Sequence, residues 1–495
     1  MILQDLCMKE GIFMSQVFAR ARELKTLQQL YNSGKPEFLA LYGRRRVGKT
    51  FLIREFFKNK GLYFALTGVK SASTRKQLKN FVEELERVFG LPQDFKPPKN
   101  WFEAFAQLRK ALGEVRGTDR IILFFDELPW LANARSGFLQ DLDHFWNRYM
   151  SEDNRIILVV CGSAASWMIR KIVRNKGGLY GRLTAQMRLL PFDLGETEEF
   201  LRRQGVLLNR KAIVDIYMAI GGIPKYLSYV QKGRSAQQII GELCFNGPLT
   251  DEFDELYASL FEHHSRHVSI IKALAEHPGG LTKSAIAQAT GLTAGGGMNL
   301  VLDELEQSGF IVQIHDFGKQ KKESRCRLVD EYSLFYLKWQ QKAKENNLGI
   351  GDEQFWTNVF NSPLGHSWAG YAFEMLCLKH ITKIKEALGI AGVLTSASSW
   401  VYKPSKGTSE RGVQIDLLID RADNCINLCE VKYCNEEYTI TKACDRELRE
   451  KKGLFVNQTK CRKSVFLTLI SPYGIKMNAG FFESIDVALT LDDLF

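Results

Sequence analysis

At 495 residues and 56.4 kDa, the chain is too long for one hydrophobic core, and its hydrophobic content of 45% is that of a soluble globular protein. The net charge of +11 and the isoelectric point near 9.0 favour an anionic partner, although charge alone does not separate nucleic acid from a membrane surface or from chance. The longest apolar run, Ile156 to Ile169, falls short of the ~20 residues that span a bilayer and argues against a membrane anchor.

The first predicted elements are a strand, a glycine-containing loop and a helix. The apolar run Phe38 to Tyr42 precedes GRRRVGKT and then a helical segment, which is the setting in which a GxxxxGK[ST] motif binds phosphate. Gly43 and Gly48 let backbone amides turn towards phosphate oxygens, Lys49 reaches the β- and γ-phosphates, and Thr50 ligates Mg²⁺. The predicted nucleotide-binding residues of this loop are Gly43, Arg44, Arg45, Arg46, Val47, Gly48, Lys49 and Thr50.

Two further apolar strands end in polar residues. RIILFFDELPWL ends its apolar run at Asp126 and Glu127, where Asp126 would hold Mg²⁺ and Glu127 would polarise the attacking water. RIILVVCGSA ends in Ser163, which is either a polar sensor of the γ-phosphate or an ordinary strand-capping serine. Together with the glycine loop, these strands predict an ATP site with Mg²⁺.

From about Val17 to Val230, these residues resemble the AAA+/STAND superfamily of P-loop ATPases, in particular its archaeal-type ATPase family. The resemblance implies ATP hydrolysis by an α/β core with a helical lid. VFARARELKTL is similar to the family's opening motif, with Ala19 and Ala21 where glycine and glutamate are usual. GGIPKYL is similar to the lid motif whose proline, here Pro224, approaches the nucleotide, and GRLTAQMRLLPF contains Arg182, a phosphate-sensing arginine or a surface charge.

The middle of the chain predicts three short helices and a β-hairpin, a pattern that resembles a winged helix-turn-helix. Its predicted core residues are Leu300, Leu302, Leu305 and Phe310. The third helix starts at Gly295-Gly296-Gly297, which offers no side-chain donors to base edges, so base-specific reading is not expected. The hairpin carries a basic cluster that would either contact a phosphate backbone or form a solvated tip. This cluster is Lys319, Lys321, Lys322, Arg325 and Arg327.

Residues 414–433, QIDLLIDRADNCINLCEVKY, predict a β-hairpin with ionic residues among its apolar ones. Strict alternation of side chains places Asp416 on the face of Leu418, and places Glu430 and Lys432 on the face of Leu428. Burying a lone carboxylate is costly, so this convergence predicts either a functional site or an exposed Glu-Lys ion pair.

From about Asn347, the order of predicted helices and strands resembles the PD-(D/E)XK nuclease superfamily, with Glu374 as the acid of its first helix. The resemblance implies that Asp416 and Glu430 hold Mg²⁺ against a scissile phosphate, while Lys432 orients or deprotonates the attacking water and stabilises negative charge. Ile415 stands where the name-giving proline is usual. A retained fold without cleavage is the alternative.

The ten cysteines lack a metal-finger spacing and no charged-then-apolar leader opens the chain, which together predict free thiols in a reducing cytoplasm. Four of them cluster around the hairpin, so a zinc or iron-sulfur site is the less favoured reading beside small buried thiols. These four are Cys425, Cys429, Cys434 and Cys444.

The sequence therefore predicts a multidomain α/β protein. Its predicted domains are a P-loop NTPase core at 15–195, a helical lid at 196–256, a winged helix at 257–340 and a restriction-endonuclease-like α/β domain at 347–495. The predicted function is an ATP-binding and ATP-hydrolysing switch coupled to a DNA-binding C-terminal domain, which either cleaves DNA with Mg²⁺ or retains the nuclease fold without cleavage. DNA binding without sequence preference is expected. The alternative is a non-catalytic ATPase switch that binds a protein or nucleic acid.

Overall fold

The computed structural model of the protein describes residues 17–90, 95–117, 120–133, 135–174, 181–261, 263–319, 324–348, 352, 354–402, 404, 412–476 and 484–495. The chain divides into two compact units, one ending at Pro191 and the other beginning at Phe192. The finer domain boundaries predicted from the sequence remain predictions.

The first unit alternates helices and strands. Its helices are α1 (Ala21–Asn32), α2 (Lys49–Phe57), α3 (Thr74–Phe89), α4 (Trp101–Glu114), α5 (Leu128–Leu131), α6 (Phe138–Arg148) and α7 (Ala165–Met168). Its strands are β1 (Glu37–Tyr42), β2 (Leu62–Thr67), β3 (Ile121–Asp126), β4 (Ile156–Gly162) and β5 (Ala185–Arg188). The strands pair in parallel in the order β2-β3-β4-β1-β5.

The sheet of the first unit is buried at its centre. Every residue of β3 and of β4 is buried, as continuous apolar runs in parallel sheets predict. A large aromatic core that includes Trp101, Phe105 and Phe138 packs on this sheet. Strand β1 lies between β4 and β5 and not next to β2, so the strand order reverses at β1. The carboxyl ends of the neighbouring parallel strands β1, β4 and β3 therefore lie side by side at the point of reversal.

The second unit begins with helices and ends with a mixed sheet. Its helices are α8 (Leu194–Arg203), α9 (Arg210–Ile220), α10 (Pro224–Leu227), α11 (Ala236–Phe245), α12 (Glu252–Leu260), α13 (His264–Ala275), α14 (Lys283–Thr290), α15 (Gly296–Gln307), α16 (Glu331–Phe335), α17 (Gln341–Glu345), α18 (Phe355–Phe360), α19 (Pro363–Lys379), α20 (Ile381–Ala387) and α21 (Lys442–Thr459). Its strands are β6 (Leu281–Thr282), β7 (Ile311–Ile314), β8 (Arg325–Leu328), β9 (Thr395–Tyr402), β10 (Val413–Arg421), β11 (Cys425–Val431), β12 (Ser464–Ile470) and β13 (Val487–Leu489). Among the helices that the structure describes, none combines the length and the apolarity that crossing a bilayer requires.

Helices α13, α14 and α15 precede the hairpin of β7 and β8, in the order predicted for the middle of the chain. The short strand β6, between α13 and α14, pairs with β8 and completes an antiparallel sheet of order β6-β8-β7. The prediction of Leu300 as a core residue is wrong, since 41% of this residue is exposed. Helix α15 turns Met298, Val301, Leu302 and Leu305 inward, which is the i, i+3, i+4, i+7 spacing of one helix face. Leu300 lies between these positions and points outward.

The turn after β7 packs against the C-terminal sheet. The backbone amide of Phe317 donates to the carbonyl of Ser399 at 2.7 Å, and the Ser399 hydroxyl donates to Asp316 at 3.0 Å. The Phe317 ring lies 5.3 Å from that of Phe455 on α21. This turn is therefore one side of a packed contact between the small sheet and the C-terminal sheet.

The predicted basic cluster of this hairpin is only partly a basic surface. Lys319 and Arg325 both pair with the buried Asp316, at 3.3 and 3.1 Å. Arg327 is 3% exposed, so the prediction that its side chain belongs to an exposed phosphate-binding surface is wrong. It lies on β8, whose residues from Cys326 to Leu328 are buried. Lys321 and Lys322 lie outside the described residues.

The C-terminal sheet has the order β13-β12-β11-β10-β9. Strands β9, β10 and β11 pair antiparallel, whereas β11, β12 and β13 pair in parallel. Helix α21 connects β11 to β12, as a parallel pair requires. The core between this helix and the sheet contains Trp400, Ile415, Leu418, Ile426, Leu428, Leu448, Phe455 and Leu467.

Strand β10 contains an irregularity that strict alternation did not predict. Its register against β9 shifts between Ile415 and Leu418, and both of these residues belong to the same core. In a regular strand, side chains three residues apart face opposite sides, so the shift is a β-bulge. The predicted face shared by Asp416 and Leu418 is therefore wrong, because the bulge separates them.

The end of the second unit packs on its beginning. The 3-10 helix Leu491–Leu494 buries Leu491 and Leu494. Arg210, at the start of α9, pairs with Asp492 at 2.8 Å and lies 4.6 Å from the centre of the Phe495 ring. Residues 491–495 thus complete the packing around α9.

Candidate functional sites

The loop between β1 and α2 has positive φ angles at both of its glycines, a conformation that other residues rarely adopt. Gly43 has φ of 155°, and a Cβ there would lie 2.2 Å from the carbonyl oxygen of Leu189. Gly48 has φ of 90°, and a Cβ there would meet no described atom within 4 Å. Arg46 is also left-handed, with φ of 71°. The motif therefore folds as a tight loop that ends at the start of α2, where helix amides favour an anion.

Lys49 is held across this loop. Its Nζ donates to the carbonyl oxygens of Gly43 and Arg44, both at 2.9 Å, and to Oγ of Ser163 at 3.0 Å. Only 6% of the residue is exposed. The ammonium group thus lies between the glycine loop and the end of β4, where it can meet a phosphate oxygen.

The acids after β3 meet the loop and β4. The Thr50 hydroxyl donates to Oδ2 of Asp126 at 2.6 Å, which places two of the hard oxygen ligands that Mg²⁺ prefers side by side. Glu127 has a left-handed backbone with φ of 47°. Its carboxylate accepts a hydrogen bond from Oγ of Ser163 at 2.5 Å and another from the backbone amide of Ser163 at 3.3 Å. Ser163 therefore contacts both Lys49 and Glu127, which a strand cap alone does not require.

The sequence reasoning missed Arg20. Its guanidinium donates to the carbonyl of Val47 at 3.2 Å and to that of Leu190 at 2.9 Å, and 4% of the residue is exposed. It anchors the glycine loop from the opening motif. Its neighbour Ala19 has φ of 55°, a left-handed conformation that explains why glycine is usual at this position and that costs alanine about 1 kcal/mol.

Two other residues were predicted to lie near the nucleotide. Arg182 is exposed, which suits a surface charge. Pro224 is the first residue of α10, in the second unit. Two residues earlier, Gly222 lies so close to the backbone of Phe192 that a Cβ on Gly222 would be 1.9 Å from the Phe192 carbonyl oxygen. The approach of Pro224 to the nucleotide remains a prediction.

The four residues predicted for the C-terminal site lie in one neighbourhood. Glu374 lies on α19, and Asp416 lies at the bulge of β10. Glu430 lies near the end of β11, and Lys432 follows its last residue. Lys432 pairs with Glu430 at 2.8 Å. A second lysine, Lys451 of α21, pairs with the same carboxylate at 3.2 Å, and sequence reasoning had not connected it to the hairpin.

Burial and neighbouring charges shift the pKa values of several of these groups. Burial, and then the charges of Asp416 and Glu430, raise the pKa of Glu374 to about 7. Although burial alone would lower the pKa of Lys432, its contact with Glu430 raises it, so this lysine stays charged at neutral pH. Burial and the nearby carboxylates also raise the pKa of Tyr371 to about 12.

The cluster also contains cations that balance its acids. Nη2 of Arg327 lies 3.8 Å from Oδ1 of Asp416, while Lys432 and Lys451 share Glu430. Within the described ranges, no group of three or more histidine, cysteine, aspartate or glutamate side chains is arranged to hold a metal ion. The nine cysteines that the structure describes are free thiols.

Residues 17–230 match the model of a family described as an ATPase domain predominantly from Archaea. An uncharacterized protein of Methanocaldococcus jannaschii is 24% identical over 453 residues, which are 88% of this chain and 91% of the relative. An uncharacterized ATP-binding protein of the same organism is 51% identical over 41 residues, which are 8% of this chain and 70% of that protein. A Walker-type ATPase of Pyrococcus abyssi is similar in structure with 19% identity and a TM-score of 0.45, over 66% of this chain and 97% of the other.

Proposed function

From the premise that this chain carries an archaeal-type ATPase domain and is an ATP-hydrolysing enzyme, we propose that it couples ATP turnover to Mg²⁺-dependent cleavage of DNA by its C-terminal site. One observation carries the second half of the proposal. Glu374, Asp416, Glu430 and Lys432, from one helix and two strands, share one electrostatic neighbourhood at a β-bulge. Bulges re-aim side chains and are frequent beside active sites.

At the ATP site, the hydrogen-bonded side chains suggest a division of roles. Lys49 binds the β- and γ-phosphates, and Thr50 and Asp126, already 2.6 Å apart, would hold Mg²⁺. The metal ion would supply charge neutralisation on the phosphates. Glu127 orients the attacking water, and Ser163 links this carboxylate to Lys49.

At the C-terminal site, the protonation states suggest how the side chains divide the work. Lys432 remains charged beside Glu430, so it stabilises negative charge on the phosphate and does not take a proton. Glu374, with a pKa of about 7, can accept the proton of the attacking water, whose oxygen bonds to phosphorus as the phosphorus–oxygen ester bond breaks. The departing oxygen then takes a proton from solvent water and leaves as an alcohol. Asp416 and Glu430 would hold Mg²⁺, which would activate the phosphate as a Lewis acid.

The decisive experiment is incubation of the full chain with plasmid, linear duplex and single-stranded DNA, with Mg²⁺ or Mn²⁺, and with and without ATP. We expect cleavage by the wild type and a loss of at least about 100-fold in Asp416→Asn. Asp420→Asn is the matched control, since Asp420 lies on the same strand and pairs with Lys463 away from the cluster. Intact DNA in every wild-type reaction, or full activity in Asp416→Asn, would refute the nuclease proposal.

A non-catalytic ATPase switch is the second candidate, and one observation favours it. The described acids are not arranged in a metal-holding group, and two lysines neutralise Glu430. If DNA survives in all reactions while ATP is hydrolysed, the C-terminal sheet is a binding surface for a nucleic acid or protein. The net charge of +11 then favours nucleic acid, bound through its backbone.

A further inference from the structure

Gln77 is a polar residue on the buried face of α3. It shares this face with Leu78, Phe81 and Leu85, and it is 0% exposed. Phe81 and Leu85 lie four and eight positions after it, which is the spacing of apolar residues along the inner face of a helix. Burying an amide is costly unless its hydrogen bonds are made, so the partners of Gln77 indicate why a polar side chain stands at this position.

The side chain of Gln77 joins two backbone segments that follow neighbouring strands. Its Oε1 accepts from the backbone amide of Val69 at 3.2 Å, and its Nε2 donates to the carbonyl oxygens of Val69 at 2.8 Å and Trp130 at 3.2 Å. Val69 follows β2, whereas Trp130 lies on α5, the short helix after β3, and these two strands are paired. The amide of Gln77 therefore ties the loop after β2 to the helix after β3.

Glu127, between β3 and α5, has a left-handed backbone with φ of 47° and ψ of 46°. A residue with a Cβ adopts this conformation only where the surrounding structure determines it. The Glu127 amide donates to Oδ1 of Asp126 at 2.9 Å, and the Glu127 carbonyl accepts from the amide of Trp130 at 2.9 Å. Trp130 thus holds Glu127 through its amide and is itself held by Gln77 through its carbonyl.

The loop after β2 also packs directly on the backbone of Glu127. The Gly68 amide donates to the carbonyl of Asp126 at 2.9 Å. A Cβ on Gly68 would lie 2.5 Å from the carbonyl oxygen of Glu127 and 3.1 Å from Cβ of Trp130. Because Val69 is the next residue, its two hydrogen bonds with Gln77 keep Gly68 at this close approach.

We infer that Gln77 is a positioning residue for ATP hydrolysis, which holds the backbone of Glu127 so that its carboxylate can orient the attacking water. The inference rests on the proposed function, because it requires the role given there to Glu127. Ser163 fixes the carboxylate end of this residue, and Gln77 fixes its backbone end through Trp130 and Gly68. Misplacing the carboxylate should slow the chemical step and spare ATP binding, which depends on the glycine loop and Lys49.

The first test is Gln77→Met, which keeps the length of the side chain and removes its hydrogen bonds. ATP affinity is measured by calorimetry with a non-hydrolysed analogue, and kcat and KM are measured by phosphate release, all with the full chain and Mg²⁺. We expect kcat to fall by about 10- to 100-fold, as a displacement of roughly 1 Å predicts, while the affinity stays within a factor of about three. An unchanged kcat would overturn the inference.

Gln107→Met is the matched control. Gln107 lies on α4, and its Nε2 donates to the carbonyl of Lys96 at 2.8 Å, so it also ties a helix to a loop. This loop precedes α4 and follows none of the strands that end at the nucleotide site. The variant should therefore keep both the kcat and the ATP affinity of the wild type.

A double-mutant cycle separates positioning from a general structural role. If Gln77 acts through Glu127, then Gln77→Met in the Glu127→Gln background should lower the remaining turnover by less than about threefold, because the carboxylate that it positions is already absent. A full additional loss of 10-fold or more, on the scale of about 10- to 100-fold expected in the wild-type background, would show that Gln77 acts elsewhere and would overturn the inference.

Gly68→Ala decides the question if Gln77→Met does not fold. It leaves the side chain of Gln77 intact and drives a Cβ towards the carbonyl of Glu127, so kcat should fall while ATP still binds. An unchanged kcat in this variant would overturn the inference. Full turnover in Glu127→Gln would refute the role proposed for that carboxylate, whereas lost turnover in Glu127→Gln with normal turnover in Gln77→Met would refute the inference alone.

Discussion

Lys49, Ser163 and Glu127 form a continuous chain of hydrogen bonds between the glycine loop and the residue that follows β3. Ser163 donates to Glu127 and accepts from Lys49, so it bonds to the group expected to meet phosphate and to the group expected to orient water. A phosphate oxygen that draws Lys49 away would change the hydrogen bonding of Glu127 through this one hydroxyl. Substituting Lys49, at the phosphate end of this chain, should affect ATP binding, whereas substituting Glu127, at the water end, should affect ATP turnover.

Lys49→Ala should abolish ATP binding, whereas Glu127→Gln should bind ATP and lose at least about 100-fold in turnover, because an amide does not polarise water as a carboxylate does. Binding is measured by calorimetry and turnover by phosphate release. Lys58→Ala is the control, since Lys58 is an exposed residue just beyond the end of α2. Normal ATPase activity in both variants would contradict the assigned roles.

His380, between α19 and α20, predicts an acid sensitivity of the second unit. Burial lowers its pKa to about 4, and its Nδ1 lies 2.9 Å from the carbonyl oxygen of Leu376. The unfolded chain binds a proton at this residue near pH 6.5 and the folded chain does not until about pH 4, so stability falls as the pH drops through that range. The decrease between pH 7 and pH 5 should be about 2 kcal/mol.

His380→Phe should lack this part of the acid sensitivity while keeping the ring contact with Tyr217. The measurement is the free energy of opening of α19 and α20, obtained from hydrogen exchange in increasing urea at both pH values. An equal decrease in stability on acidification in the variant and the wild type would show that His380 is not its source.

Which site residues could be predicted depends on how far apart in sequence their partners lie. The glycine loop was predictable because its spacing is local and a strand precedes it. Arg20 was not, because its partners Val47 and Leu190 lie 27 and 170 positions away. The acids of β3 were predictable from their position after an apolar run, but their hydrogen bonds to Thr50 and Ser163 were not.

At the scale of elements, the two glycines of the loop between β1 and α2 should differ in how much destabilisation a substitution by alanine causes. Gly43→Ala would drive a Cβ into the backbone of Leu189 at 2.2 Å, whereas Gly48→Ala meets no described atom within 4 Å and bears only backbone strain. We expect a destabilisation of about 3 kcal/mol or more for Gly43→Ala and about 1 kcal/mol for Gly48→Ala. Thermal unfolding of the first unit measures both, and equal melting temperatures would contradict the close approach at Gly43.

The strands and helices show where periodicity succeeds and fails. Continuous apolar runs predicted β1, β3 and β4, because strands buried on both faces need no alternation. Alternation failed at β10, because one extra residue changes which face each later side chain meets. Leu300 was misplaced for a different reason, because it lies outside the apolar face that the 3.6-residue period of α15 turns inward.

At the scale of the whole molecule, an ATPase that acts as a switch must change shape with its nucleotide. We expect the small-angle scattering profile with ADP to differ from the profile with a non-hydrolysed ATP analogue. The reason is that each nucleotide should stabilise a different conformation of the protein. Lys49→Ala, which should bind neither, provides the baseline. Superimposable profiles for the wild type with both nucleotides would contradict a switch.

The general layout of the chain was predictable, since motif order and element type follow from local patterns. The contact between the C-terminal sheet and the turn at Asp316 and Phe317 was not predictable. A hairpin tip that carries lysines is typical of an exposed surface, and the local sequence does not show what packs against it. Arg327 shows the same limit. Its charge suggested exposure, while its neighbours Cys326 and Leu328 on a buried strand determine where it lies.

The contact of residues 491–495 with α9 has a consequence for biosynthesis. Asp492 pairs with Arg210 across 282 positions of sequence, so the ribosome must complete nearly the whole second unit before α9 acquires its last neighbours. The strands of the first unit all lie before Pro191 and need none of that later sequence to pair. The first unit can therefore fold during translation, whereas α9 acquires its contacts with Asp492 and Phe495 only after these residues have been synthesised.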